Sequence, residues 1–199
     1  MLDRSRISKF ALSSLPLLAL LTIATLPGFA AKYETIDAQA FGTGTQMGQN
    51  IGITIIIYQF STAADREILV NAFTKGQSQG LVNALSKMPA VGRISITGTL
   101  GYDLSFIRLI ETPTGRKIRF VTNRQIRFGE AWADSQSMNF NLTAGEIDLN
   151  DQDKSKSTGQ LFPAAQLTLN KDGQLNLELN QNAWRLSGII DWSGTQGEN

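Results

Sequence analysis

The chain has 199 residues, with 18 Lys and Arg against 17 Asp and Glu, and it contains neither histidine nor cysteine. Those two absences exclude Ser-His-Asp and Cys-His nucleophilic systems, zinc sites of the Cys and His type, disulfide staples and any side chain whose unperturbed pKa lies near neutrality. The length favours a single domain.

Residues 1–30 read as a secretory signal peptide. Arg4, Arg6 and Lys9 make a positive start, Ala11 to Leu26 is an apolar run broken by Pro16, and Pro27-Gly28-Phe29-Ala30 sets small residues before a cut after Ala30. The run is short for a bilayer span. Cleavage removes three basic residues and Asp3, so the net charge of +1 becomes −1. A near-neutral body lacks the basic footprint of a nucleic-acid binder. The expected location is outside the cytoplasm, periplasmic or extracellular, with membrane contact only through the signal peptide before cleavage. Residues 31–192 then form one β-rich domain, and 193–199 read as a disordered tail.

Lys32–Phe41 alternates as a first strand. The glycine-spaced loop Gly42–Gly48 lacks the Lys-Ser/Thr and the following helix that a phosphate cradle needs, so it reads as a turn. Ile51–Phe60 is rich in β-branched residues and reads as a central strand buried on both faces. Ser61 or Thr62 supplies a helix N-cap, with Asp65 and Glu67 in the first turn. Ile68, Leu69, Ala72 and Phe73 make an apolar stripe ending near Lys75-Gly76. A second short helix runs through Leu81, Val82, Leu85 and Met88 to Pro89, completing a helical hairpin.

Met88–Asp103 is the joint between helical and strand-rich halves. Arg93-Ile94-Ser95-Ile96-Thr97 alternates, and Gly98 and Gly101 break the strand. Such a break is first a turn. It also sets Arg93, Tyr102 and Asp103 at a sheet rim, where bulges favour binding sites. Leu104–Glu111 and Arg116–Thr122 flank a Pro-Thr-Gly turn. Arg108, Arg116, Lys117, Arg119, Arg124 and Arg127 concentrate charge there among Phe106, Phe120 and Phe128. Alternation puts the arginines and phenylalanines on opposite faces, which favours a solvated surface over a polyanion site.

Glu130–Asn139 is polar and irregular around Trp132, and strand pattern resumes at Phe140, Leu142, Ile147 and Leu149. Asp148–Asp153 begins like a calcium loop but has Asp153 where the sixth-position glycine belongs and Gly159 where the twelfth-position carboxylate belongs. No metal site and no cofactor are expected. Leu161–Leu169 and Gln174–Leu179 form a second hairpin with one buried face, and Ala183–Trp192 is the last strand.

The Met-Pro-Ala-Val-Gly-Arg-Ile-Ser joint followed by Gly-Thr-Leu-Gly-Tyr-Asp-Leu resembles a set of uncharacterised secreted bacterial proteins in which a Pro-x-Val-Gly-Arg-Ile segment leads into Gly-x-Leu-Gly-Tyr-Asp. The resemblance extends through the arginine-rich hairpin, Asn123–Phe128 and Pro163-Ala164-Ala165. It implies a single secreted domain and brings no activity, cofactor or catalytic residue.

The expected fold is α+β, a mostly antiparallel sheet or open barrel of roughly seven to nine strands with one inserted helical hairpin. The expected function is non-enzymatic binding of a small ligand, lipid, glycan or envelope protein, with Arg93, Tyr102, Asp103, Glu130 and Trp132 as candidate contacts. A continuous apolar cavity would mark a carrier. An exposed apolar patch or an unpaired edge strand would mark a protein partner. The alternative is a glycan hydrolase using two of Asp103, Glu111, Glu130 and Asp134. An intact-mass measurement on exported protein is expected to give the mass of residues 31–199; the full-length mass would instead mean an uncleaved anchor.

Overall fold

Apolar residues recur at every second position through most of the chain, and each such stretch becomes a strand. The computed structural model describes residues 33–126 and 139–192. The strands are β1 (Glu34–Phe41), β2 (Asn50–Ile57), β3 (Gly92–Ile96), β4 (Tyr102–Leu104), β5 (Phe106–Thr112), β6 (Gly115–Thr122), β7 (Leu142–Asn150), β8 (Thr158–Leu169), β9 (Leu175–Leu179) and β10 (Trp184–Asp191); a helix, α1 (Ala63–Leu85), joins β2 to β3. The sheet order is β4-β3-β2-β1-β10-β8-β7-β6-β5, antiparallel throughout, with β9 pairing β8 off this path.

The two ends of that order are consecutive in the chain. Ser105 alone separates β4 from β5, so one bent strand pairs β3 with its first half and β6 with its second. At the bend, Val91 N–H donates to Leu104 O and Ser105 N–H donates to Val121 O. Where β5 leaves β3, Ser61 takes over the edge: its N–H donates to Ile107 O at 2.8 Å and its hydroxyl accepts from Ile107 N–H at 3.0 Å. The result is a nearly closed barrel, which leaves few unpaired edges.

Inward residues fill the barrel. Ile36, Ile55, Ile94, Ile107, Ile118, Ile147, Leu161 and Trp184 are all essentially without solvent exposure and belong to one cluster. Gly145 makes room for an inward ring: it sits opposite Phe120, and a Cβ there would lie 2.2 Å from the ring. Interior apolar and exterior charged is the reverse of a barrel that faces lipid, and no helix among the described residues is long and apolar enough to cross a membrane.

The helix covers part of the outside. Thr62 and Asp65 make a capping box, in which the Thr62 oxygen accepts from Asp65 N–H at 3.2 Å and Thr62 N–H donates to the Asp65 carboxylate at 2.7 Å. Leu69, Phe73, Leu81 and Leu85 then pack on Leu142, with Phe106, Val121 and Leu167 alongside. Two helical stretches meet within α1 at one non-helical residue, Gln77 at φ 47°, beside the expected division at Lys75-Gly76. Gly80 beyond the break lies so near Ala72 that a Cβ would sit 2.3 Å from its carbonyl oxygen. In a straight helix those residues would be about 12 Å apart, so the chain turns sharply at Gln77.

Three expectations need correction. β2 is not buried on both faces: Ile53, Ile55 and Ile57 are buried, Ile51 and Ile56 are half-buried, and Tyr58 lies beyond its end and is exposed, because the helix covers a different part of the barrel. Ile68 leaves the expected helix stripe and points to solvent. The β8–β9 hairpin forms as expected, yet every residue of β9 is exposed, since that arm projects off the barrel path.

Replacing Gly145 with valine drives side-chain atoms into the Phe120 ring and is expected to cost about 2–3 kcal/mol in urea unfolding. Combined with Phe120→Ala, the loss should fall well short of the sum of the single losses, because the second substitution removes the clash.

Candidate functional site at one end of the barrel

Strand β10 contains one residue too many for its partner. Asp37 pairs with Ile190 but Gln39 pairs with Ser187, so Gly188 and Ile189 together oppose Ala38. Gly188 has φ +59°, a left-handed conformation that costs other L-residues about 1–2 kcal/mol. The bulge shifts the strand's phase by one residue. Trp184 and Leu186 face inward before it, and Ile189 and Asp191 face inward after it. Ile190 and Trp192 consequently face outward. Two features at this barrel end follow from that shift, one on each face of the sheet.

On the inner face, Asp191 meets Arg116 and Glu34. Arg116 donates from both terminal nitrogens to Glu34, at 3.1 and 2.7 Å, and from Nη2 to Asp191 Oδ2 at 2.5 Å. Arg116 shares the inward face because it precedes Ile118 and Phe120 at two-residue spacing and sits opposite the buried Leu149. The side chains are 21, 12 and 16% exposed for Arg116, Glu34 and Asp191. Burial pushes the Glu34 carboxyl above its ordinary 4.5, outweighing the pull of the Arg116 guanidinium, and the Asp191 charge adds to the rise. Burial alone would lower Arg116, but the two carboxylates outweigh it and hold the guanidinium more basic than usual. These carboxylates, on the paired strands β1 and β10, hold β6 from across the barrel through one cation.

On the outer face, Tyr33 and Tyr58 form an edge-to-face pair with centroids 5.1 Å apart. Trp192 Nε1 donates to Asp37 Oδ2 at 2.7 Å, and Thr54 donates to Asp37 Oδ1 at 2.6 Å. The carboxylate therefore holds the indole by its N–H. Tyr33, Tyr58, Ile190 and Trp192 are 55, 38, 47 and 45% exposed. Thr35, Ile56, Arg93 and Asp103 form one transverse row across β1 to β4, beside Asp37, Thr54 and Ser95 in the next. At strand spacing, the face spans about 15 Å.

The sequence candidates fall into three groups. Arg93 and Asp103 meet on this outer face, 3.8 Å apart in a largely exposed pair. Arg93 Nε also donates to Leu100 O at 2.5 Å, across the turn made by Gly98 and Gly101, whose φ values are +83° and +76°. Tyr102 is separated from them: it opposes Ile94 and packs against the interior cluster. Glu130 and Trp132 lie outside the described residues, as does Asp134. Sequence reasoning missed Tyr33, Tyr58, Asp37 and Trp192 as a group. Tyr33 and Tyr58 each adjoin a strand with clear alternation, which was the available signal.

The charge run from Arg116 to Arg119 is largely neutralised. Arg116 is buried as described, Lys117 reaches Glu146 at 2.8 Å and Asp148 at 3.4 Å, and Arg119 reaches Glu146 at 2.6 Å. Burial would raise Glu146, yet Lys117 and Arg119 bring it below its ordinary value. Asp153 caps the short turn Lys154–Lys156 through Ser155 and holds Lys156, so its carboxylate serves the backbone. No cluster of metal-binding side chains occurs among the described residues. Open grooves lie outside the barrel among the described residues; one, about 500 Å³, runs between Glu146, Asp148, Gln160 and Arg185.

Arg116→Met is expected to cost about 2–3 kcal/mol at pH 7, below the ~3–5 kcal/mol typical of breaking a fully buried pair. The fold binds a proton at Glu34 that the unfolded chain releases, so this group's contribution is complete below pH 4.5 and is lost as pH rises through the folded pKa. Without Arg116 the rise is larger, so the variant's deficit should grow from pH 4.5 upward. Carboxyl NMR titration should place Glu34 above 4.5, and higher still in the variant; a midpoint below 4.5 in the native chain would refute this account.

No family model matches this chain, nor does any curated protein or solved structure.

Proposed function

We propose that this is an exported, non-enzymatic protein of a bacterial envelope or its surroundings, and that it docks a protein partner on the outer face of β10, β1 and β2. The observation that carries this reading is the exposed group Tyr33, Tyr58, Ile190 and Trp192, bordered by Arg93 and Asp103. Monomer surfaces carry few contiguous apolar patches, and those with polar rims mark interaction sites. Tyr, Trp and Arg are the residue types that dominate protein interfaces. Asp37 holds the indole in place through its Nε1, so little side-chain freedom is lost on docking.

A small-ligand carrier has weaker support, because large branched side chains fill the barrel interior and the grooves described above are open. Glycan hydrolysis has weaker support still. Asp103 lies on an exposed face and Glu111 is likewise exposed, while the one described carboxylate pair at this end, Glu34 and Asp191, is engaged by Arg116.

A photo-cross-linking amino acid placed at Thr35 in the exported chain should yield one discrete heavier adduct in the native host. The same probe at Lys171, on the distant hairpin, should not. Replacing Tyr58 and Trp192 together with alanine should weaken binding at least tenfold, since hot spots, where Trp and Tyr are enriched, contribute about 2 kcal/mol or more. A host in which Thr35 yields no protein adduct would overturn the reading, as would a native mass increase of small-molecule size on the unmodified chain.

A further inference from the structure

Strand β9 presents an unused edge. It pairs with β8 alone among the described strands. Asn170 N–H donates to Gln174 O, and Asn180 N–H donates to Ala164 O. Those bonds set the phase of the ladder: Asn176 and Glu178 direct their backbone groups to β8, and Leu175, Leu177 and Leu179 direct theirs to the free edge. The same phase appears on the opposite side of β8, where Leu167 N–H turns away from β9 and donates to the Ser78 hydroxyl at 3.4 Å. Natural edge strands are usually blunted by lysine, proline or a bulge. β9 has no lysine, proline or bulge, its one charge, Glu178, accepts from the Thr168 hydroxyl at 3.0 Å, and Leu169, Leu175, Leu177 and Leu179 are 44, 63, 38 and 40% exposed.

We infer that this edge pairs with the β9 edge of a second copy of the chain, antiparallel, about a two-fold axis at Leu177. That register matches the strand's own pattern. Leu177 opposes Leu177 of the second copy, and Leu175 opposes its Leu179. Both are positions whose N–H and C=O groups are free, so every free group between Leu175 and Leu179 gains a partner. Glu178 opposes Asn176 of the second copy instead of another carboxylate, so no like charges face each other. Moving the axis to Asn176 leaves Leu179 unpaired and sets Glu178 against Gln174. The five leucines on one side of each hairpin, Leu167 included, continue into a ten-leucine stripe across the four-stranded ribbon. An isologous pairing of this kind closes on itself as a dimer. A five-residue edge buries less than the ~800 Å² per partner of a standard interface, so the dimer forms on the order of tens of micromolar. It is independent of the aromatic face, which lies on β10, β1 and β2.

The test uses the exported chain across roughly 1 to 200 µM, a range that brackets the expected dissociation constant. Sedimentation equilibrium should show a monomer–dimer equilibrium. Leu177→Pro removes an N–H from the free edge and none from the β8 pairing, and should weaken the dimer at least tenfold with far-ultraviolet dichroism unchanged. Because the chain has no cysteine, single replacements report the register. Leu177→Cys should form a disulfide-linked dimer on its own, and Leu175→Cys should do so only when mixed with Leu179→Cys. A monomer throughout the range overturns the inference. If amide exchange then shows Leu175, Leu177 and Leu179 protected, the chain covers this edge itself; if they exchange freely, the edge is left to another protein. A dimer indifferent to Leu177→Pro, or cross-linking that ignores register, overturns it equally.

Discussion

A single extra residue in β10 organises this end of the molecule. With Gly188 and Ile189 sharing the place opposite Ala38, the strand changes phase. An unbulged β10 would carry Gly188 and Ile190 inward, and Asp191 would face solvent. The bulge instead turns Asp191 toward Arg116 and turns Ile190 and Trp192 outward. Inner ionic cluster and outer aromatic face are thus two consequences of one backbone conformation. Its physical basis is the positive φ that glycine adopts without a Cβ penalty. Little side-chain crowding is involved, since a Cβ at this position would find its nearest neighbour at 3.9 Å.

The ionic cluster shows why charge can be tolerated at the barrel mouth. One guanidinium has five donors in a planar fork, and here it satisfies both oxygens of Glu34 and one of Asp191. The cluster joins the paired strands β1 and β10 to β6, which the curvature of the sheet brings opposite them. Two carboxylates around one cation leave a net negative charge, and the rise in Glu34's proton affinity is the energetic trace of that imbalance and of burial. A polar layer of this kind specifies which strands share a mouth, whereas the isoleucines beneath it would tolerate exchange among themselves.

The structure divides its apolar surface unequally. One cluster fills the barrel, and a second lies between α1 and the outer faces of β5 to β8. The sharp turn at Gln77 lets α1 cover that wall within 23 residues. The β10–β1–β2 face and the β8–β9 arm receive no such cover from described elements, and they hold most of the large apolar side chains that remain exposed. A β-sheet surface buries one face in its own core and must leave the other to solvent, to a helix or to a partner.

Much of the body was legible in the chain itself. Alternation gave the strands of the barrel, the Pro-Thr and Asn-Lys-Asp-Gly turns gave both hairpins, and Thr62 with Asp65 marked the helix start, because all of these depend on residues within a few positions of one another. Gly98 and Gly101 end β3 as their spacing implied, and Phe120 and Arg119 face opposite ways as strand geometry demands. Arg93 and Asp103 at the rim were legible, but the outer aromatic group and the inner ionic cluster were not. Arg116 finds Glu34 and Asp191 at sequence separations of 82 and 75, and nothing local distinguishes it from the paired surface cations beside it. The phase of β10 depends on how many residues of β1 it opposes, and the exposure of β9 depends on where the barrel ends. Alternation tells which side chains share a face; only the closed path of strands decides which face is inside.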